Sequence, residues 1–147
     1  MKLTSPEFPD GGRIPDRFTC RGEDRSPRLQ WSEVPDRTAE LALTCTDPDA
    51  PGGTFVHWVL WGIGPGAGGL GEGEVPEGAQ EGRNGFGKRG YGGPCPPRGH
   101  GTHHYHFRLY ALSEPLSLAK GAGIGDLRRA MEGRILAEAG LVGTYER

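Results

Sequence analysis

Side chains that can exchange protons or bind charged groups concentrate at three places in the sequence. Asp47 and Asp49 flank Pro48, so two carboxylates stand on either side of a rigid residue. His57 lies inside an apolar run, directly before Trp58. The third place is a cluster that contains His100, His103, His104, Tyr105 and His106. Histidine and aspartate serve as general acids and bases, and imidazole is also the commonest metal ligand, so these places are candidates for catalysis, ligand binding or a metal.

The aspartates and His57 also have purely structural interpretations. Aspartate side chains often cap the turn that ends a strand, and the prolines at 48 and 51 stiffen this one. A histidine within an apolar strand is commonly a core residue whose ring nitrogens are satisfied by hydrogen bonds. The residue types alone therefore leave both interpretations open.

The histidine cluster has a metal-binding alternative. Side chains two residues apart share a strand face, so His104 and His106 lie on one face and His103 and Tyr105 on the other. A pair of imidazoles supplies only two ligands, and no His-x-Glu motif or paired cysteine accompanies it. Metal binding through residues 100–106 stays an alternative, and the leading prediction is a protein without a metal or cofactor.

Motifs of the common enzyme classes are absent. The sequence has no Gly-x-Ser-x-Gly nucleophile, His-Glu-x-x-His zinc motif, Walker A loop or dinucleotide-binding fingerprint. Histidine and aspartate could act as general base and acid, but no nucleophile is identifiable. We therefore predict that the protein is not an enzyme.

Composition narrows the class of protein further. The chain has 147 residues, of which 34% are hydrophobic, and this length suits a single domain over residues 1–147. The net charge of -2 gives no basic surface, so nucleic-acid binding is not predicted. No apolar run reaches the roughly 20 residues of a transmembrane helix, and the N-terminus lacks the apolar core of a signal peptide. These features predict a soluble cytoplasmic protein.

The cysteines fit the same compartment. Cys20, Cys45 and Cys95 are odd in number and widely spaced, which is neither a zinc motif nor a disulfide framework. We predict three reduced thiols, with any buried cysteine acting as a small hydrophobic residue.

Alternating apolar residues predict the strands that position these groups. Residues 28–31 and 40–45 alternate like half-buried strands, and the prolines after the second prevent its continuation in a central ladder. Residues 55–63 are apolar on both faces, which predicts a strand that is covered on both sides. Residues 104–111 give the strongest alternation. Residues 64–93 hold 13 of the 27 glycines and predict a long irregular connection that continues to Pro97.

Helical spacing is confined to the C-terminal part of the chain. After residue 116, apolar residues recur every four positions, at Leu127, Met131, Ile135 and Ala139. Asp126 is a candidate N-cap, and Gly140 is a candidate stop. Strands followed by one late helix predict a mainly β domain with a helix packed on it.

Several uncommon motifs occur together and in order. They are Phe-Pro-Asp-Gly-Gly at 8–12, Asp-Pro-Asp-Ala-Pro at 47–51, His-Trp at 57–58, Gly-Gly-Pro-Cys-Pro-Pro at 92–97 and His-His-Tyr at 103–105. Together they resemble the phosphatidylethanolamine-binding protein (PEBP) family, and more narrowly its bacterial Raf-kinase-inhibitor-like branch. The resemblance spans nearly the whole chain.

This resemblance implies a Greek-key β-sandwich with long irregular loops, a helix near the C-terminus and a small anion-binding cavity at one end. The cavity would be built from Asp47, Asp49, His57, Gly93, Pro94, Pro97, His103 and Tyr105. Imidazoles, the phenol and loop N–H groups would donate to phosphate oxygens, while the aspartates would orient and protonate the imidazoles. The loop that bears Pro97 would then be ordered from about Asn84 onward. Where the family usually has arginine this sequence has His104, so any ion pair there becomes pH-dependent.

The function implied is that of a small binding protein for phosphate or a phospholipid head group. The alternative is a protein-interaction module that modulates a kinase or protease, as the family name implies for eukaryotic relatives. Fold and pocket do not by themselves transfer such a partner. The resemblance also leaves open a homodimer.

Overall fold

Eight strands and one helix make up the computed structural model, which describes residues 1–147. Along the chain they are β1 (Lys2–Thr4), β2 (Leu29–Ser32), β3 (Glu40–Asp47), β4 (Phe55–Ile63), β5 (Gly69–Leu70), β6 (Gln80–Glu81), β7 (His103–Leu112), α1 (Ile124–Met131) and β8 (Ile135–Tyr145), with a 3₁₀ turn at Asp16–Phe18. One sheet has the order β6-β4-β3-β7-β8, and the other has the order β1-β2-β5. The predicted mainly β fold with a single late helix is confirmed.

The central strand β4 is covered on both faces, as its sequence predicts. Trp58 and Leu60 belong to the core between the two sheets. Val59 and Trp61 point the other way and pack in a second cluster with Leu127 of α1. Because β4 and its neighbour β3 lie inside the molecule, the ends of these strands are rigid supports for the residues that follow them.

The strands predicted at 28–31, 40–45, 55–63 and 104–111 correspond to β2, β3, β4 and β7. The glycine-rich segment between β4 and β7 contains only the two short strands β5 and β6. Asn84 organises part of it, since its Oδ1 accepts from the N–H groups of Phe86 and Lys88 and its Nδ2 donates to the Gly90 carbonyl. That this loop is ordered in solution stays a prediction.

The helix predicted from the sequence extends further along the chain than the helix in the structure. It ends at Met131, and Ile135 and Ala139 belong to β8, which pairs with β7 along its length. Gly133 has φ +74°, a left-handed conformation that ends the helix and that glycine adopts without steric cost. The helix is also only eight residues long, and no helix in the structure has the length and apolar character needed to cross a membrane.

Both predicted ends of the helix are therefore displaced. Asp126 lies in the first turn, not at the N-cap, and its Oδ2 accepts from the N–H of Gly123, which is the N-cap residue. Gly140 lies within β8 opposite Arg108, where it stops no helix.

The prediction of three reduced cysteines is wrong for two of them. Cys20 and Cys95 form a disulfide with a Cα–Cα distance of 5.4 Å, and only Cys45 is free and buried. The partners are 75 positions apart, and the two segments also meet through the hydrogen bond from the Cys20 N–H to the Pro94 carbonyl. The spacing of the cysteines along the chain does not predict that Cys20 and Cys95 lie close together.

Candidate functional site

A cavity of about 210 Å³ opens where β3 ends and where β4 and β7 begin. Thr46 pairs with both Val56 and His106, so the antiparallel ladders bring these three strand ends to one edge of the sheet. The walls of the cavity are formed by Asp47, Ala50, Pro51, Phe55, His57, Phe86, Cys95, Pro96, Pro97, His103 and Tyr105. Five of the eight residues that the sequence proposes for the site thus line one cavity.

Asp47 combines the two roles that the sequence left open for it. Its Oδ1 accepts from the Asp49 N–H at 2.8 Å, which is the turn cap expected at a strand end. Its Oδ2 lies 2.6 Å from Nδ1 of His103. Both side chains of this pair are almost completely buried. Asp47 therefore ends β3 and also fixes an imidazole in the cavity wall.

His103 lies in the middle of a chain of hydrogen bonds that runs from the interior to the surface. Its Nδ1 faces Asp47, and its Nε2 lies 2.6 Å from Nδ1 of the exposed His100. Because a carboxylate only accepts, the His103 Nδ1 must carry the proton. Both ring nitrogens of His103 are thus used within the protein.

His57 is buried, and its ring is held by the long loop. Its Nδ1 lies 2.6 Å from the Gly92 carbonyl, while the Gly92 N–H donates back to the His57 carbonyl. Burial lowers the pKa of His57, and this outweighs the opposing effects of the Gly92 carbonyl and of the Asp47 charge. The expectation that nearby aspartates keep this imidazole protonated is therefore not met at His57.

Aromatic rings surround the His57 imidazole and make the cavity largely apolar. Tyr105 packs edge-on against it at 5.1 Å between centroids, and Phe55 and Phe86 lie at 5.0 and 5.8 Å. Burial raises the pKa of the Tyr105 phenol, so its hydroxyl keeps its proton at any physiological pH. The cavity therefore combines a few polar groups with largely apolar walls.

Asp49 lies outside this cavity and pairs with His104. Its Oδ2 accepts from the backbone N–H of His104 and lies 2.8 Å from its Nδ1. Both side chains are about half exposed, and the hydrogen bond to His104 lowers the pKa of Asp49. His104 thus takes part in a surface pair with Asp49.

Of the three loop residues proposed for the site, only Pro97 lines the cavity. Gly93 lies behind the wall, where its N–H donates to Oδ1 of Asp24 at 2.8 Å. The Pro94 carbonyl accepts from the Cys20 N–H. The N–H of Gly93, like that of Gly92, is thus used inside the protein, and neither faces a ligand.

We expect Gly93→Ala to destabilise the protein by roughly 1–3 kcal/mol, because the added Cβ overpacks the wall behind the cavity. This Cβ would overlap the Phe18 carbonyl oxygen and Oδ1 of Asp24, and backbone atoms cannot yield as a flexible side chain does. Urea denaturation measures the loss. Gly64→Ala is the control, since nothing lies within 4 Å of its Cβ; equal losses for the two variants would contradict the prediction.

The structure contains no suitable set of ligands for the alternative of metal binding. No three histidine, cysteine, aspartate or glutamate side chains are grouped so that they could hold a metal ion. Within the 100–106 cluster, His103 faces Asp47 and His100, while His104 faces Asp49. The cluster is divided between the two faces of β7, as the alternation of its residues predicts.

Sequence reasoning missed several parts of the site. The apolar walls at Phe55 and Pro96 adjoin recognised motifs, and those motifs could have pointed to them. No sequence pattern pointed to Phe86, because it lies in a glycine-rich loop and reaches the cavity only through the turn at Asn84. His100 was recognised as a member of the cluster, but not as the partner of His103.

Comparison with known proteins identifies the family of this architecture. The family model described as phosphatidylethanolamine-binding protein matches residues 4–146. The chain belongs to the PEBP family. A relative from Methanothermobacter thermautotrophicus, named a UPF0098 protein, is 49% identical over 100% of this chain and 99% of its own length.

The PEBP relatives include a solved structure and a protein with a lipoprotein name. The crystal structure of a provisional PEBP homologue, CT736 from Chlamydia trachomatis, has a TM-score of 0.94 and 39% identity, and covers 99% of this chain and 97% of its own. A Mycobacterium tuberculosis relative, LppC, carries a provisional lipoprotein name and is 46% identical over 99% of this chain and 72% of its own length. Family and fold are thereby shown.

Proposed function

We propose that this PEBP-family protein binds small phosphate-bearing ligands, either free phosphate or the phosphate of a phospholipid head group, without catalytic turnover. The observation that carries the proposal is the cavity in which the buried side chains of His57 and Tyr105 lie among apolar wall residues. Its volume of about 210 Å³ is below the roughly 300–1,000 Å³ of sites for drug-sized ligands. The cavity therefore suits a head group and leaves any longer substituent outside.

The charge of the cavity determines how such an anion would bind. No lysine or arginine lines it, and its one carboxylate, on Asp47, is bonded to His103 and to the Asp49 N–H. Positive charge can come only from protonation of an imidazole. Burial holds the pKa of His57 below its ordinary value of 6.5, so protonation of His57 needs a more acidic solution than that of an exposed histidine. Phosphate affinity should consequently fall as the pH rises.

Replacing His57 by alanine should weaken phosphate binding by ten- to hundredfold, because one hydrogen bond to a charged ligand contributes about 1.5–3 kcal/mol. The variant should also show a flatter pH dependence than the wild type between pH 5.5 and 8.5. Calorimetric titration with inorganic phosphate measures both effects. His104→Ala is the control, since this imidazole pairs with Asp49 outside the cavity. A His57→Ala protein that binds phosphate like the wild type at each pH would refute the assignment of the cavity.

A protein partner, or a second copy of the chain, is the second candidate function. Ile135 and Leu136 are 41% and 42% exposed at the start of β8, which is the last strand of the five-stranded sheet. Adjacent apolar side chains on a sheet edge favour association with another chain. Such an interface lies in β8 and does not need the cavity, so loss of phosphate binding would leave it intact.

Cytoplasmic localisation stays a prediction, and the disulfide does not favour it. Cytosolic reductants keep most thiols reduced, and the intracellular proteins of extreme heat-adapted organisms are the main exception. The Cys20–Cys95 bond therefore fits an oxidising compartment or a heat-adapted cell.

A further inference from the structure

The edge of β8 that faces away from β7 is covered along only part of its length. Near the end of the strand, the Gly11 N–H donates to the Val142 carbonyl, and the Ile14 N–H donates to the Thr144 carbonyl. The Thr144 N–H donates back to the Gly12 carbonyl. The backbone groups of Val142 and Thr144 therefore point away from β7 and are bonded to an N-terminal segment of the same chain.

The same backbone direction recurs at every second residue toward the start of β8. The pairing of β8 with β7 is regular over residues 137–145, so the N–H and C=O groups of Glu138 and Gly140 point away from β7, like those of Val142. The five-stranded sheet ends at β8, and no loop or turn bonds to the backbone of these two residues. Residues 137–140 thus form an open edge of the sheet.

The residues that usually protect a sheet edge are missing from the open edge. Natural edge strands carry lysine, proline or a bulge that prevents pairing with another chain. The open edge has the sequence Ala-Glu-Ala-Gly, and the register shift of β8 lies before it, opposite Leu112. Ile135 and Leu136, two of the three large apolar side chains that are exposed in the protein, immediately precede it. Unpaired backbone groups and exposed apolar side chains therefore occur together.

The two faces of the open edge differ in chemistry. Ala137 and Ala139 are half-buried and pack toward the core between the sheets. Glu138 lies on the opposite face, where its carboxylate is 47% exposed and 3.8 Å from the Arg108 guanidinium. The Asp10 carboxylate accepts from a β8 N–H just beyond the open edge. One guanidinium thus accompanies two carboxylates, so the open edge has an apolar face and an acidic face.

We propose that the open edge binds an extended segment of another protein in which apolar and basic residues alternate. The segment adds a strand to the five-stranded sheet, and its backbone bonds to Glu138 and Gly140 as residues 10–14 bond to the end of β8. Its apolar side chains cover the alanines of the open edge, and its basic side chains meet the Glu138 carboxylate. This inference specifies the partner of the second candidate function and does not depend on phosphate binding.

Labelled decapeptides test the proposal by fluorescence anisotropy on the intact protein. The probe alternates valine with lysine. One control peptide has glutamate in place of lysine, and the other has methylated backbone amides. We expect both controls to bind roughly tenfold more weakly, because the first brings like charge to Glu138 and the second cannot donate backbone hydrogen bonds. Equal binding of the methylated peptide would overturn the proposal, since the contact would then not be strand addition.

Gly140→Pro removes one outward N–H and keeps the pairing with β7, because an edge strand tolerates proline where its N–H faces away from the sheet. Gly140→Ala is the matched control, since its Cβ would lie 3.8 Å from the Phe107 carbonyl oxygen, an ordinary contact. We expect the valine–lysine peptide to bind Gly140→Pro roughly tenfold more weakly, and Gly140→Ala within about twofold of the wild type. Urea denaturation shows whether both variants are folded. Equal peptide affinities for two folded variants would overturn the proposal.

Glu138→Lys is a second variant that leaves the backbone groups unchanged. It should prefer the valine–glutamate peptide, the reverse of the wild type, because the charge on that face is inverted. An unchanged preference, or a wild type that binds neither peptide, would overturn the proposal. Self-association in sedimentation that Gly140→Pro abolishes would also overturn it, because a second copy would then occupy the open edge. Titration of the same proteins with inorganic phosphate tests the proposed function separately.

Discussion

Asp47→Ala is expected to lower the free energy of unfolding by roughly 3–5 kcal/mol, whereas Asp49→Ala should change it by about 1 kcal/mol or less. The two aspartates stand two positions apart in one motif and are chemically identical. Their surroundings differ, because the Asp47 side chain is 4% exposed and that of Asp49 is 40% exposed. The pair therefore separates the effect of burial from the effect of residue type.

The large loss at Asp47 follows from what its removal leaves behind. Nδ1–H of His103 and the backbone N–H of Asp49 would both lose their acceptor, and the His103 side chain is buried, so bulk solvent replaces its acceptor poorly. A buried polar group left without a partner costs more than the bond itself contributes. Asp49 and His104 can instead turn to solvent when their bond is broken.

Urea denaturation of both variants at pH 7 measures the difference in the free energy of unfolding. Equal slopes of this free energy against urea concentration show that the unfolded states are comparable. Asp47→Asn should have an intermediate stability, because its amide oxygen can still accept one of the two hydrogen bonds. Its free energy of unfolding should fall less than that of Asp47→Ala. Equal losses for Asp47→Ala and Asp49→Ala would show that the Asp47–His103 pair is not a stabilising feature of the cavity wall.

The sequence predicted β2, β3, β4 and β7, but not the short strands β1, β5 and β6 nor the long strand β8. For β8 the reason is geometric. Residues four apart lie on one side of a helix, but they also lie on one side of a strand, where the period is two. Leu127 and Met131 continue to Ile135 and Ala139 with this spacing, so the pattern could not show where helix gives way to strand. The positive φ of Gly133 and the pairing with β7 decide it.

The site shows a similar division between what residue types reveal and what only the fold reveals. The motifs identified Asp47, His57, His103 and Tyr105, and the structure places all four in one cavity. The direction in which each imidazole donates depends on a carbonyl of the distant loop and on a buried carboxylate. Sequence spacing could not supply either contact. The sequence thus predicted these four polar side chains of the cavity, but not the hydrogen bonds that orient them.

Removal of the disulfide through Cys20→Ala and Cys95→Ala together should lower the free energy of unfolding by about 4 kcal/mol. In the chain-entropy model, cross-linking loops of about 15 and 100 residues stabilises a protein by about 3 and 4.7 kcal/mol, and the loop here spans 75 positions. The effect arises because the unfolded chain gains freedom when the link is absent. It does not require that the native cavity change.

Other contacts hold the Cys95 side of the cavity when the disulfide is gone. The Pro94 carbonyl accepts from the Cys20 N–H, the Tyr91 hydroxyl donates to the Phe18 carbonyl, and Nε of Arg147 donates to the Pro96 carbonyl. We therefore expect the double variant to bind phosphate within about threefold of the wild type at 25 °C. A thiol reductant should destabilise the wild type and leave the double variant unaffected, which controls for the loss of the two side chains. If the reductant leaves the wild type unchanged in urea denaturation, the Cys20–Cys95 bond does not form in solution, and the prediction of three reduced thiols regains its support.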